Sequence, residues 1–115
     1  MINLPDKIPV FPLSNFIIFP ETTVPLNIFE PRYLQMIDDA MKGSKIIGLI
    51  QPKKLEQNTD KLFDIGCAGI IKNYNETDDG RYLIVLSGVS RFRIINEVNT
   101  EKLYRMCEVN FKDFK

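Results

Sequence analysis

The stretch FPLSNFIIFPETTVPLNIFEPRY, residues 11–33, carries prolines at 12, 20, 25 and 31 among large apolar side chains. Proline lacks a backbone N–H and fixes φ, so this density rules out a long regular ladder and predicts short edge-type strands, bulges and extended arms. Two such strands are expected, IPVFPL at 8–13 and FIIF at 16–19, separated by the turn-forming pair Ser14-Asn15 and closed by Pro20. The pattern then changes. Tyr33, Met36, Ile37, Ala40 and Met41 fall at i, i+3, i+4, i+7 and i+8, one apolar helical stripe between Glu30 and Gly43. Pro31 suits the first helical turn, and Gly43 suits a left-handed residue after the last. The opposite face, Arg32, Gln35, Asp38, Asp39 and Lys42, reads as solvated surface.

Downstream, strand patterns dominate. KIIGLIQ at 45–51 is followed by a polar loop, PKKLEQNTDK. LFDIGCAGIIKNY at 62–74 is broken by Gly66 and Gly69, which predicts a bent or bulged strand in a curved sheet. Asp78-Asp79-Gly80 marks a hairpin turn, since a calcium loop needs further oxygen donors and a closing Glu that RYLIVL lacks. RYLIVLSG at 81–88 and SRFRIINEV at 90–98 read as two strands, the second with Arg91, Arg93 and Ile95 opposite Phe92 and Ile94. YRMCEVNF at 104–111 is another, and KDFK ends the chain with neither helix nor polar tail, as a cut would. Many strands to one helix, with glycines where strands must bend, predict a mainly β (α+β) domain: a small curved sheet or partly open barrel covered by one helix.

At 115 residues the chain has the size of a single domain, and folding is expected to bury roughly two-thirds of its unfolded surface. Fifteen basic residues balance fifteen acidic ones, which disfavours nucleic acid, whose sequence-independent affinity needs a cationic excess. No signal-type N-terminus is present, and no apolar run reaches the ~18 residues that span a bilayer, so the cytoplasm is the expected address and no membrane partner is expected. Histidine is absent, removing the usual base of Ser and Cys nucleophiles and the commonest metal ligand. Cys67 and Cys107, each in strand-like sequence, read as buried inert thiols. The six glycines form neither a dinucleotide fingerprint nor a Walker loop. No catalytic residue, cofactor or metal is therefore expected.

Binding must then come from shape and apolar surface. The candidate polypeptide-binding residues are Phe19, Pro20, Pro25, Leu26, Ile28, Phe29 and Tyr33; proline-ordered arms lose little entropy on association, and an open sheet edge can accept an extended peptide. Glu30, Arg32 and Arg91 are charges lodged among apolar residues, and Glu30 is expected to pair with Arg91 or Arg32 to fasten the helix start to the sheet.

These residues also carry a resemblance. FPL at 11–13, the strand ending in FP at 19–20, PLNIFEPRY at 25–33, DIG at 64–66, DGRYLI at 79–84 and GVSRFRI at 88–94 run, in order, as in the N-terminal substrate-recognition domain of the ATP-dependent protease Lon and its stand-alone relatives. The resemblance implies a PUA-like pseudo-barrel of curved antiparallel sheets with one packed helix, over residues 1–115, without the helical subdomain of longer members. It implies recognition of unfolded or damaged polypeptides, aided by a homo-oligomer, and none of Lon's ATPase or protease chemistry, because the motifs for both are missing. Where the family often has His after PL, this chain has Asn27. PUA-like folds also suggest an alternative, an RNA-binding module using Arg91, Arg93 and Lys72 as a basic strip beside Phe92 and Tyr82.

Overall fold

A computed structural model describes residues 4–14, 18–52 and 64–114. The elements run β1 (Lys7–Pro12), β2 (Thr23–Ile28), α1 (Pro31–Lys42), β3 (Ile46–Ile50), β4 (Ile65–Glu76), β5 (Tyr82–Val98) and β6 (Arg105–Asn110), followed by a single 3₁₀ turn at Lys112–Phe114. The sheet order is β2-β5-β4-β3-β1-β6, and β6 also pairs with β5, so the pairings lead round a pseudo-barrel and back.

Curvature comes from bulges. Along the antiparallel β4–β5 pair the register skips Val89 and then Lys72, and along β5–β6 it skips Ile95. Each unpaired residue adds twist to its strand, and the 17-residue β5 thereby bends far enough to serve β2 with Tyr82–Ser87, β4 as far as Arg93 and β6 from Arg93 to Val98. Sequence reading divides β5 into two strands; the structure makes one, with the Val89 bulge at the apparent break. A second correction concerns β1 and β3, which pair in parallel because the chain crosses over through β2 and α1 between them. The expected strand at 16–19 and the polar loop after Pro52 lie largely outside the described residues, though Ile18 and Phe19 belong to no strand.

All five residues of β3 are buried, because it has a core on each face. Ile46 and Ile50 join Ile8, Val10, Phe92 and Val109 inside the barrel, whereas Ile47 and Leu49 join Met36 and Ile37 of α1 in a second layer outside it. The barrel interior is filled by the fully buried Phe92 ring, packed edge-on to Phe111 at 6.4 Å between centroids. It fits only because its neighbours lack side chains. A Cβ on Gly48 would stand 2.9 Å from the Phe92 ring and from Ile8 Cδ1, and one on Gly66 would stand 2.7 Å from the ring and 2.5 Å from the Leu49 carbonyl oxygen.

The helix buries Tyr33, Met36, Ile37 and Ala40, as its periodicity predicts, with Pro31 at its first turn. Its end differs. Gly43 is not left-handed, with φ −122° and ψ −128°, and the left-handed residue is Lys45 at φ 64°; both donate N–H to the Ala40 carbonyl, at 3.1 and 2.9 Å. The polar face is also not merely solvated. Tyr82 donates its hydroxyl to Asp38 at 2.7 Å, Tyr104 to Asp39 at 2.7 Å, and the Leu103 N–H to Gln35 Oε1 at 2.9 Å. Gln35, Asp38 and Asp39 thus bolt α1 to β5 and to the approach to β6. The Tyr104 hydrogen bond, with help from Lys102, holds the Asp39 carboxyl below its ordinary value of 3.8, while the Tyr82 phenol is raised by the Asp38 carboxylate that accepts from it.

Two measurements follow from this packing. Gly48→Ala should cost about 1–3 kcal/mol in denaturant titration, and combining it with Phe92→Leu should cost less than the sum of the two, since the smaller side chain clears the clash; strict additivity would refute the steric account. Tyr104→Phe should cost about 0.5–1.5 kcal/mol near neutral pH. Because the folded Asp39 pKa lies below the unfolded one, that contribution is complete above the ordinary carboxylate range and disappears as pH falls through the folded value. A Tyr104→Phe deficit that persists unchanged in strong acid would contradict the clamp.

Candidate functional site

Between β1 and β2 the chain makes a tight turn against β5. The Thr22 hydroxyl accepts the Phe19 N–H at 3.2 Å and donates to the Phe19 carbonyl at 2.6 Å, with Glu21 left-handed at φ 68°. The Glu21 N–H donates to the Gly88 carbonyl, and the Gly88 N–H to the Thr22 carbonyl, each at 2.8 Å. Glycine is required at 88 because a Cβ there would sit 2.3 Å from the Phe19 carbonyl oxygen. The arm therefore lies directly on the strand, and Phe19 is presented 48% exposed at a fixed place.

Beside it opens a groove of about 530 Å³. Ile18 and Phe19 form one wall, Ile50 and Ile65 contribute further apolar surface, and Arg91 and Arg93 stand on β5. Register explains the grouping: Ile65 pairs with Arg93 and Cys67 with Arg91, and directly opposed residues share a face. The Arg91 guanidinium lies over the Phe19 ring, 5.6 Å from its centroid, and Arg93 is engaged by Asp113 at 3.3 Å. Cys67 borders the groove but is buried, and desolvation pushes its thiol up to about 11; burial does the same to Cys107. Neither is a ready thiolate. Among the described residues no three acidic or thiol groups converge as metal ligands would, and no helix is long and apolar enough to cross a membrane.

The residues proposed for binding on sequence grounds separate into surface and core. Phe19, Pro20, Pro25 and Phe29 are exposed, Phe29 most fully at 65%, and Leu26 is half-buried against the helix-side core. Ile28 and Tyr33 are core residues, 2% and 6% exposed, and so offer no surface to a partner. Burial also raises the Tyr33 phenol pKa. The charged trio divides as well. Glu30 meets Arg32 at 3.6 Å in an exposed pair, with Arg32 also over the Tyr33 ring at 4.7 Å, while Arg91 pairs with the aromatic arm instead of Glu30. Fastening the helix falls to Asp38 and Asp39, which sequence reading left on the solvated face. The basic strip imagined for RNA is not assembled: Phe92 is wholly buried, Tyr82 is tied to Asp38, and Lys72 lies five residues along β4 from Cys67, the partner of Arg91. That separation is about 17 Å at strand spacing.

The class that this geometry defines is a curved pseudo-barrel with one bolted helix and an apolar groove beside its first arm. Comparison with known proteins gives its family. A family model for the ATP-dependent protease La (LON) substrate-binding domain matches residues 7–114, and the chain belongs to that family. It is 33% identical over 103 residues to a Lon protease of Desulfosudis oleivorans and 28% identical over 108 residues to Lon protease 1 of Herpetosiphon aurantiacus, alignments covering 86% and 90% of this chain. The chain spans 13% of the length of each. Among solved structures, a Lon N-terminal domain protein from Xanthomonas campestris superposes with a TM-score of 0.75 at 24% identity, covering 91% of this chain and 59% of that one. The N-terminal domain of a Mycobacterium avium complex Lon protease gives 0.68 at 20% identity, covering 91% and 54%. These likenesses establish the fold as the β-rich, barrel-like one of Lon N-terminal domains.

The arm offers its own test. Gly88→Ala should cost about 1–3 kcal/mol and markedly speed amide exchange at Glu21, whereas Gly43→Ala, whose new Cβ would meet nothing nearer than 3.8 Å, should do neither. Unchanged exchange at Glu21 in Gly88→Ala would show that the close approach does not hold the arm.

Proposed function

We propose that this domain binds exposed apolar segments of unfolded or damaged polypeptides, with Phe19, Pro20 and the neighbouring groove as the contact surface and Phe29, Pro25 and Leu26 as flanking contacts. The observation that carries the reading is the half-exposed Phe19, held by the Thr22 turn at the mouth of an apolar groove. A large apolar side chain exposed at a fixed place contributes contact area without an ordering cost on association. Membership of a substrate-binding family supports the same reading. One groove of this size gives weak affinity, and a homo-oligomer presenting several copies supplies avidity. Free buried thiols at Cys67 and Cys107 suit the reducing cytoplasm, where the domain acts.

Titration with a reduced, alkylated and permanently unfolded polypeptide, followed by amide NMR, should shift Phe19, Glu21, Ile65 and Arg91. Phe19→Ser should weaken binding by about fivefold or more, as expected of an aromatic anchor. Resonances that stay still in this region, or a Phe19→Ser variant that binds as tightly as the parent, would overturn the assignment.

A further inference from the structure

Arg91 is more than a packing partner of Phe19. The five ion pairs formed among the described residues engage Arg32, Arg81, Arg93, Lys102 and Arg105, and none engages Arg91. Its contact with the Phe19 ring uses the charge of the cation and none of its N–H donors, which stay available for a carboxylate. The groove is also electrostatically one-sided: two guanidiniums, Arg91 and Arg93, against one carboxylate, Asp64, among the described lining residues. Asp113 engages Arg93, so Arg91 is the guanidinium left to answer a ligand. Because the Arg91 guanidinium stands 5.6 Å from the Phe19 ring centroid, an apolar side chain seated against Phe19 places its flanking residues within a side chain's reach of that cation.

We propose that Arg91 is a specificity residue, selecting apolar polypeptide segments that carry an acidic side chain beside the apolar anchor and disfavouring those that carry a basic one there. The proposal rests on the polypeptide-binding reading of the groove and refines its substrate class. The ring contact fixes where the charge stands, since leaving Phe19 would cost the cation its aromatic partner. Arginine suits the task because its planar fork can take a carboxylate with two parallel N–H donors.

The test uses fluorescence anisotropy with two short labelled peptides, identical around a central Phe-Leu pair and differing only in one flanking Asp or Lys. The parent domain should bind the Asp peptide roughly three- to fivefold more tightly, the range of a part-exposed ion pair, and added salt should shrink the difference. Arg91→Gln should bind the two equally, at the affinity of the Lys peptide or slightly above it, and Arg91→Glu should reverse the order. Equal binding of both peptides by the parent, with Phe19→Ser weakening both, would overturn the selectivity and leave the groove assignment intact. Binding of neither peptide, when the unfolded polypeptide also fails to move the groove amides, would overturn both. Near-ultraviolet circular dichroism identical to the parent's checks that each variant is folded, and a preference for Asp that survives in a folded Arg91→Gln variant would place the charge recognition elsewhere and overturn the proposal.

Discussion

The Phe92 ring and the bare backbone around it are the contact on which the domain depends. A barrel this small has an interior only wide enough for a few side chains, and one aromatic ring fills it if the facing positions contribute none. Gly48 on β3 and Gly66 on β4 supply that absence from two strands at once. The strand that carries Phe92 therefore cannot slip by one residue, because that would put Arg91 or Arg93 inside. With the register of β5 fixed, the Val89 and Ile95 bulges fall where they bend the strand toward β2 on one side and β6 on the other. The outward faces of Arg91 and Arg93, and so the charge of the groove, follow from the inward placement of the residue between them.

A second layer rests on the first through β3. Because β3 is apolar on both faces, it transmits the barrel's packing to the helix, and α1 gains its place from Ile47 and Leu49 beneath it and from two tyrosine–carboxylate bonds at its flanks. Those bonds reach across 44 and 65 residues of sequence. Buried area alone leaves a helix free to roll on a smooth apolar sheet; directional bonds at 2.7 Å set its rotation.

What sequence can and cannot disclose follows from the range of each interaction. The helix over residues 31–42 was legible because its stripe and its N-terminal proline are local signals, and Gly66 and Gly69 announced a bent strand for the same reason. The strand through Pro25 was obscured, since a proline argues against a ladder unless the strand is known to be an edge. Of the candidate site, Phe19 and Arg91 were each singled out, but in different roles; their stacking depends on the turn laying residues 18–22 across Gly88, a tertiary event. Ile65 carried no distinguishing signal, and neither did the tyrosine partners of Asp38 and Asp39. Ile28 could not be told from its exposed neighbours in a segment without fixed periodicity, whereas the helical stripe already marked Tyr33 for the core, and counting it among the surface candidates set that signal aside.

Pro25 has a consequence for solubility. Since the Gly88 N–H donates to the Thr22 carbonyl, antiparallel alternation points the backbone groups of Val24, Leu26 and Ile28 toward β5 and those of Thr23, Pro25 and Asn27 away from it. On the side of β2 away from β5, which pairs with no other strand among the described residues, proline removes the central donor and leaves amides only at Thr23 and Asn27, about 13 Å apart. An incoming chain cannot zip along that border with a continuous row of bonds. Cross-β deposits grow by continuous backbone pairing along an exposed border, and a single imino acid in the middle of β2 denies them that template without altering the side chains the strand presents.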